Sequence, residues 1–508
     1  MDTDKNIFYK YYFLFINIYM KTKRRIYKKN TKIKRKQKTK KQRIRNQRKI
    51  TGGDLDPAIT NIVNISIQNR DNNHSRMLNL VCKNSDNCLA LGIYGSYIKQ
   101  YFENFRNLSL VDTIKMKHIG RASKNGFIIE IPFSKNNFTA YTALKCAAKQ
   151  HSDNLFYEYY IGKFFINSYL NIFPCFVETY DCYTFNDESD WYKLQNFTNP
   201  ADISLPNMIT RKPISDERIS DESISENNYE AEDAEMFGRS CMENKRLCVL
   251  IQHFDNFTSV YDKFHSSFTS EANVQYEKLN ILYQVYFPLT VLKDVYTHYD
   301  LHANNVFLYK PYQGNKYIQM RYHLLSERVI EFPSEYIVKI IDYGRNYFDN
   351  GVTNTKEILN NYVCNNRMCN PNCGYYVGYG VIQGNEYNPN AQNNWIFPNQ
   401  KNISHDLKFA HYFYSYLKQI KLFNTFFYND MEITGPSEKL MGTPEKLGGN
   451  SLIINNIVNL REAIESFIDV WNTHKMKKKY DATWQKMAVM DIYEDKRPYK
   501  FELLPYDD

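Results

Sequence analysis

Residues 298–305 read His-Tyr-Asp-Leu-His-Ala-Asn-Asn, and residues 339–344 read Lys-Ile-Ile-Asp-Tyr-Gly. The first stretch follows a long apolar run and places Asp300 and Asn305 on one loop. In the second, an apolar strand ends in a turn at Asp342. Phosphoryl transfer needs a carboxylate to accept a hydroxyl proton and oxygens to hold Mg²⁺ against the phosphates. The two stretches together therefore indicate a site suited to phosphate chemistry.

The same two stretches resemble the H-R-D-L-x-x-x-N catalytic loop and the D-F-G metal-binding motif of protein kinases. The resemblance implies an α+β bilobal fold with a small β-rich N-terminal lobe, a larger helical C-terminal lobe, and use of ATP and Mg²⁺. It also implies that Asp300 is the catalytic base, that Asn305 and Asp342 are the Mg²⁺ ligands, and that His298 braces the loop. The alternative is that two Asp turns coincide in an Asn-rich chain.

The N-terminal half then has to supply the phosphate contacts. Residues 142–145, Thr-Ala-Leu-Lys, resemble the V-A-I-K strand, so Lys145 is expected to contact the α- and β-phosphates. Its expected ion-pair partner on the following helix is Glu158. Lys149 is the alternative lysine, but the alternation of the strand favours Lys145. The other reading of Lys145 is a solvent-facing strand residue.

Two weaker resemblances would complete a nucleotide site. Gly120 and Gly126 resemble glycines of the phosphate-covering loop, but Ala122 stands where the middle glycine belongs and Gly126 is one place late. By analogy, the backbone around Gln252 and Phe254 would form the hinge that meets the adenine. A Gly-rich turn between strands is common, so these positions indicate the site less strongly than the two motifs.

Asp406 resembles the buried aspartate that opens a core helix of the large lobe, and Ser404 is predicted to cap that helix. Gly162 departs from the family pattern, because it lies four places after Glu158, where a bulky apolar residue is usual. This puts the register of the helix around Glu158 in doubt by a residue or two.

The catalytic loop also departs from the protein-kinase pattern. Tyr299 replaces the arginine that commonly couples activity to a phosphorylated activation segment, and His302 stands where many protein kinases carry lysine. A D-L-H loop resembles small-molecule kinases, whereas Gly344 favours the protein-kinase branch. Three hypotheses follow: a kinase with a protein substrate, by base rate at Ser or Thr; an atypical or small-molecule kinase; and a pseudokinase scaffold that binds partners through its tail and insertions.

The periodicity of the chain predicts its secondary structure and its domains. Strands are expected at 127–133, 140–146, 172–183 and 247–254, with strand and turn material at 304–345, and helices at 89–106, 153–169, 274–297, 405–420 and 452–475. The predicted domains are a disordered basic tail at 1–50, a partly helical extension at 51–115, a kinase N-lobe at 116–255 with an acidic disordered insertion at about 184–245, and a C-lobe at 256–508 with a Cys-containing insertion at about 350–400.

The net charge of +10 comes from one segment, since residues 21–49 hold seventeen Lys or Arg and no acid. This tail suits contact with a polyanion, either nucleic acid or an anionic membrane, or it is simply solvated. The apolar run at 7–20 is shorter than the ~20 residues that a spanning helix needs. A short N-terminal anchor is therefore disfavoured, and the flanking charges do not match a secretory signal.

Ten cysteines in 508 residues do not indicate a disulfide scaffold. Free thiols in a reducing intracellular compartment are expected. Cys364, Cys369 and Cys373 have a spacing that Zn²⁺ could use, but it is not the C-x₂-C of a firm zinc site. The motif style resembles uncharacterised kinase-like proteins of giant DNA viruses, which would imply the host cytoplasm or the virion.

Overall fold

The computed structural model describes much of the chain from residue 91 onward. The apolar run at 7–20, the basic tail, the three cysteines of the possible zinc site and most of the acidic Ser-rich stretch lie outside the described residues. The described ranges are 91–123, 126–147, 155–211, 247–254, 257–265, 272–355, 357–358, 401–413, 425–426, 453–454, 456–472 and 483–504.

The fold mixes helices and β-sheets. The helices are α1 (Ile93–Tyr101), α2 (Leu155–Tyr160), α3 (Glu188–Asn196), α4 (Leu205–Met208), α5 (Val260–His265), α6 (Ala272–Val291), α7 (Leu407–His411) and α8 (Ile457–Asn472). Helix α2 continues through a π-helical turn at Ile161–Phe165 and a 3₁₀ turn at Ile166–Tyr169. Further 3₁₀ turns lie at Glu103–Phe105, Leu108–Leu110, Thr113–Lys115 and Pro200–Asp202.

A six-stranded antiparallel sheet forms the N-terminal half of the described chain. Its strands are β1 (Lys117–Ser123), β2 (Gly126–Lys135), β3 (Phe138–Ala147), β4 (Thr179–Phe185), β5 (Ile209–Arg211) and β6 (Leu247–Gln252). Their order across the sheet is β1-β2-β3-β6-β4-β5. Asn136 and Asn137 join β2 to β3 with positive φ values of 48° and 69°, which asparagine tolerates in tight hairpin turns.

The two faces of this sheet belong to different hydrophobic clusters. Leu144 and Cys146 of β3 pack in one cluster with apolar residues of α1, α3 and α4. Lys145 lies between them and contacts Glu158 of α2, whose apolar neighbours belong to the other cluster. Because successive strand residues point to opposite faces, β3 aims Lys145 away from the first cluster and towards the C-terminal half of the chain.

Eleven further strands lie in the rest of the described chain. They are β7 (Phe257–Ser259), β8 (Tyr296–Thr297), β9 (Val306–Tyr309), β10 (Lys316–His323), β11 (Val329–Ser334), β12 (Ile337–Ile340), β13 (Tyr347–Phe348), β14 (Thr425–Phe426), β15 (Ile453–Ile454), β16 (Gln485–Tyr493) and β17 (Lys500–Leu503). They form a sheet in the order β12-β9-β7, a sheet in the order β11-β10-β16-β17, and two small pairs, β13-β8 and β14-β15. Helices α6 and α8 pack together beside them and supply buried apolar residues to the larger cluster.

Several predicted elements are confirmed. The predicted strands at 127–133 and 140–146 are β2 and β3, and the predicted helix at 274–297 is α6, which ends at Val291. The helix expected at 89–106 is α1 followed by a 3₁₀ turn. Part of the predicted helix at 405–420 lies outside the described residues.

The prediction of a disordered insertion from residue 184 is wrong over residues 184–211. This segment contains α3 and α4, and it buries Trp191, Leu194 and Leu205 against the six-stranded sheet. Its apolar residues are sparse, but most of the large ones are buried against the sheet, which overall composition does not reveal. The strand expected at 172–183 also begins later, because β4 spans Thr179–Phe185.

The C-terminal part holds more β-structure than the helical expectation. Strand β16 pairs in parallel with β10, with Met490 opposite Met320, and the sequence analysis did not predict β16 or β17. Ser404 is not the cap of α7 either, since Asp406 occupies the N-cap position and the carboxylate of Asp406 is used elsewhere.

Gly162 is explained by a close approach between α2 and β4, and the register of α2 therefore needs no shift. A Cβ on Gly162 would lie 2.1 Å from Thr179 Oγ1. Gly162→Ala is therefore expected to lower the free energy of unfolding by about 1–3 kcal/mol, because a packed interior resists added volume. Urea unfolding measures the change, and Thr179→Ala in the same background is expected to restore part of it. Equal stability of Gly162→Ala and the parent would contradict this contact.

Among the described residues, no helix combines the length and the apolar character that crossing a bilayer would require.

Candidate active site

Three side chains that are distant in sequence meet at one point. Lys145 of β3 donates to Glu158 Oε2 of α2, with an Nζ–O distance of 2.5 Å. The same ammonium lies 3.2 Å from Oδ1 of Asp342, which follows β12. The side chains of Lys145 and Glu158 are nearly buried, whereas that of Asp342 is 27% exposed. The structure therefore brings together three of the residues that the sequence singled out, with Asp342 nearest to solvent.

The three charges shift one another. Burial acts against the charged form of Lys145, but the carboxylates of Asp342 and Glu158 outweigh it and raise the lysine pKa. Burial raises the pKa of Glu158 to about 7 against the attraction of Lys145. For Asp342, burial is outweighed by Lys145 and Arg345, which lower the pKa to about 2. One cation thus serves two carboxylates, and Asp342 is the one held firmly as an anion.

Asp342 has a backbone conformation that non-glycine residues seldom adopt, with φ 68°. The hydroxyl of the next side chain, Tyr343, is held by backbone groups. It accepts from Val177 N–H at 2.8 Å, and its single proton lies within reach of the carbonyl oxygens of Ile340 at 2.9 Å and Val177 at 3.1 Å. The sequence analysis did not assign Tyr343 a role, although a hydroxyl in place of the usual phenylalanine was a readable signal. This ring fixes the turn on which Asp342 sits.

The loop at 298–305 lies directly beside Asp342. His298 Nε2 donates to the carbonyl oxygen of Ile341 at 3.0 Å, and Ile341 N–H donates to Asn305 O at 3.1 Å. Asn305 Nδ2 donates to Asp300 O at 2.9 Å, so the amide closes the loop and its Oδ1 faces elsewhere. Burial lowers the pKa of His298 to about 4, which keeps the ring neutral. His298 therefore braces the loop against the Asp342 strand as a neutral donor.

The carboxylate of Asp406 holds this loop through two backbone hydrogen bonds. Its Oδ2 accepts from His298 N–H at 2.8 Å, and its Oδ1 accepts from Tyr299 N–H at 2.9 Å. Burial raises the pKa of Asp406 to about 7, although both N–H groups favour the anion. Tyr299 is held with φ 61°, and its ring is buried against His405 at 4.8 Å between centroids. Asp406 thus fixes a strained stretch of backbone immediately before Asp300.

A histidine and an arginine flank the Asp300 carboxylate. His302 Nε2 lies 3.8 Å from Oδ1, and Arg345 Nη1 lies 3.6 Å from Oδ2. Burial lowers the pKa of His302, against the attraction of Asp300. The guanidinium of Arg345 stays charged at any physiological pH, so it supplies the permanent positive charge here. Arg345 is not recognisable as a site residue from the sequence, because nothing in its position two residues after Tyr343 shows that it folds back towards Asp300.

The predicted phosphate loop is the β1–β2 hairpin, of which residues 124 and 125 lie outside the description. Gly120 has φ 71° and is exposed, and a Cβ there would meet nothing within 4 Å. Ala122 lies in β1. Gly126 has φ 140°, and a Cβ there would be 1.9 Å from Cys146 O. The β2–β3 pairing therefore requires a glycine at position 126. This packing requirement explains Gly126 without any contact to a phosphate.

At the predicted hinge, the N–H of Gln252 already donates to Glu178 O at 2.8 Å, and its side-chain oxygen lies 3.3 Å from Glu178 N. The ring of Phe254 is buried against Tyr309. In this structure the N–H of Gln252 is therefore already occupied by a backbone partner. His253, which the sequence analysis did not assign, places Nε2 2.9 Å from Glu130 Oε2 of β2 and ties the hinge to the sheet.

No protein-family model and no curated protein matches this sequence. The chemistry of the site therefore rests on Lys145, Glu158, Asp342 and the 298–305 loop themselves.

Proposed function

We propose that this chain is an ATP- and Mg²⁺-dependent phosphotransferase with a protein-kinase-like bilobal fold. In this proposal the six-stranded sheet and α2 are the small lobe, and the elements from α5 onward are the large lobe. The observation that carries the proposal is the position of Lys145, which bridges Glu158 of the first group and Asp342 of the second. A lysine held between two carboxylates from separate elements is suited to anchor phosphate oxygens next to a metal ligand.

The donors around Asp342 fit Mg²⁺ held together with a nucleotide. Mg²⁺ is usually bound through one or two protein oxygens plus substrate phosphates and waters. Asp342 offers an ionised carboxylate, and Asn305 offers its amide oxygen from the adjoining loop. Bound there, the metal would neutralise charge on the β- and γ-phosphates. These are the two metal ligands that the kinase resemblance implies.

The remaining groups then have distinct roles in the reaction. Lys145 would hold phosphate oxygens, with Glu158 fixing its position. The acceptor oxygen would form a bond to the γ-phosphorus while the bond from phosphorus to the bridging oxygen of ADP breaks. The acceptor proton would pass to the carboxylate of Asp300, whose side chain is 16% exposed. Arg345 would offset the negative charge around that carboxylate.

The acceptor is proposed to be a Ser or Thr hydroxyl of a protein. A second candidate is a small-molecule phosphotransferase, which one observation favours. His302 rather than lysine lies 3.8 Å from Asp300, and a D-L-H loop resembles small-molecule kinases. The two candidates share Lys145, Asp342 and Asp300, and they differ only in the acceptor.

The test is phosphate transfer from labelled ATP in the presence of Mg²⁺. The wild-type chain is compared with Lys145→Met and Asp342→Asn, each followed for autophosphorylation, for transfer to generic protein substrates, and for an ATP-induced rise in melting temperature. Lys310→Met is the matched control, because Lys310 also pairs with a glutamate, Glu335, at 3.1 Å but has no role in the proposed site.

Transfer that is lost in both site variants and kept in Lys310→Met would support the proposal. Nucleotide binding without transfer to any protein would favour the small-molecule candidate or a pseudokinase scaffold. The absence of both ATP binding and transfer in the wild-type chain would overturn the proposal.

A further inference from the structure

A cavity lies away from Asp300. Its volume is about 170 Å³, and it is lined by α1, the segment before β4, strand β12 and the link between β16 and β17. The lining is mainly polar and includes Lys99, Asn171, Glu178, Tyr180, Lys339 and Tyr499. The proposed phosphotransferase reaction uses none of these side chains.

Lys339 is the unusual member of this lining. The residue is 3% exposed, and its ammonium donates to Pro174 O at 2.5 Å and lies 4.6 Å from the centre of the Phe254 ring. Within the described part of the chain, no carboxylate oxygen lies within 4.0 Å of this nitrogen. An ammonium carries three donors, and a buried cation without a counter-ion is costly. Burial accordingly lowers the pKa of Lys339 to about 8, although Cys175 and Glu178 act in the opposite direction.

Tyr180 is a second unsatisfied group in the same lining. The residue is 5% exposed, and its hydroxyl is buried without a hydrogen-bond partner among the described residues. Buried hydroxyl groups are nearly always hydrogen-bonded, and leaving one unpaired costs about 1–3 kcal/mol. Lys99 differs from these two, because it already pairs with Glu178. Among the described residues, the lining therefore holds one buried ammonium with no carboxylate within ion-pair distance and one buried hydroxyl with no hydrogen-bond partner.

We propose that this cavity binds a small oxyanion whose oxygens accept hydrogen bonds from Lys339 Nζ and Tyr180 Oη. A water molecule would satisfy the hydroxyl, but only an anion also neutralises the ammonium. Water occupies about 30 Å³ per molecule in the liquid, so 170 Å³ has room for an ion with several heavy atoms. Free phosphate and a small carboxylate share this chemistry, and the experiment distinguishes them.

The cavity takes no part in the proposed reaction, but it lies next to segments that carry residues of the candidate active site. Lys339 precedes Asp342 by three residues on the same strand segment, and the cavity also includes Gln252 of the predicted hinge. Because phosphate could also bind Lys145, the test has to separate the two lysines.

The test is thermal unfolding of the full chain in phosphate, acetate or malonate, each against chloride at equal ionic strength. We expect phosphate or a carboxylate to raise the melting temperature of the wild-type chain and of Lys145→Met alike. Lys339→Met should abolish that rise, and Tyr180→Phe should reduce it. Without the anion, Lys339→Met should melt at the wild-type temperature or above, since a buried unpaired charge is removed, and this result shows that the variant folds.

The responses of the variants decide the outcome. A rise caused by phosphate alone or by a carboxylate alone supports the proposal and identifies the class of anion. A rise that survives Lys339→Met and disappears in Lys145→Met places the anion in the candidate active site and overturns it. The absence of any response to the three oxyanions also overturns it. If Lys339→Met fails to fold, Tyr180→Phe carries the test, and an undiminished rise in that variant contradicts the proposed contact. Loss of phosphotransferase activity in the separate assay would leave these results unaffected.

Discussion

Asp300→Asn is expected to lower the rate of phosphate transfer by about 10²–10⁴-fold, the range typical of removing a general base. Asparagine has the same shape as aspartate, so the loop should keep its hydrogen bond from Asn305 Nδ2 to the backbone oxygen of residue 300. The amide cannot take the acceptor proton, however, and it presents no negative charge to Arg345 at 3.6 Å. The loss should therefore appear in kcat, whereas ATP affinity, which depends on Lys145 and Asp342, should change only a few-fold.

Single-turnover transfer and ATP titration by thermal shift separate these two effects. Asp294→Asn is the matched control, because Asp294 is an exposed aspartate whose ion pairs with Lys293 and Lys401 lie on the surface. It should transfer phosphate at the parent rate. If Asp300→Asn kept full transfer, another group would have to receive the proton, and the assignment of the base would be wrong.

Local pattern was sufficient to predict the elements nearest the site. The alternation in β2 and β3 is a short-range signal, and the two asparagines between them are typical of a tight hairpin. The same alternation decided between Lys145 and Lys149. The side chain of Lys145 does point to the face of the sheet that meets Glu158. Because side chains alternate along a strand, the pattern of a single strand shows to which face of the sheet each side chain points, without information about the rest of the fold.

Contacts between distant segments could not be predicted in this way. Strands β10 and β16 pair in parallel although more than 160 residues separate them, and no local periodicity encodes that partnership. The segment holding α3 and α4 was predicted as disordered, because its few apolar residues are spread among acids. Trp191 and Leu194 are nevertheless fully buried. Composition measures the density of apolar residues, whereas burial depends on where each one lands.

The candidate site shows the same division. The spacing of Asp300 and Asn305 on one loop, and of Asp342 after a strand, was visible in the sequence. The position of Arg345 was not, because its approach to Asp300 depends on how the chain turns after Asp342. Tyr343 could be recognised only in part from the sequence. Its hydroxyl is visible in the sequence, but its bonds to Val177 exist only because the loop before β4 lies against β12. The candidate catalytic residues could be proposed from residue type and spacing, whereas the residues that contact and position them could be identified only in the fold.

Asp406→Ala is expected to destabilise the chain by about 2–5 kcal/mol and to lower transfer with it. The carboxylate accepts from the N–H groups of His298 and Tyr299 in a buried place. Alanine would leave both donors unpaired, and each unpaired buried donor costs about 1–3 kcal/mol. Tyr299 would also lose the anchor that holds it at φ 61°, a conformation that costs roughly 1 kcal/mol for such a residue. The loop should then relax, and Asp300 should move with it.

Urea unfolding and transfer assays measured on the folded fraction test this prediction. Asp349→Ala is the matched control, because Asp349 Oδ1 accepts from Gly351 N–H at 2.9 Å in an exposed turn where water can replace it. That change should cost less than about 1 kcal/mol, since exposed N–H groups remain hydrated. If Asp406→Ala were as stable as Asp349→Ala and equally active, the carboxylate would not be what holds the loop. The link from the buried helix start to the proposed catalytic base would then have to be sought in His298 and its bond to Ile341 O.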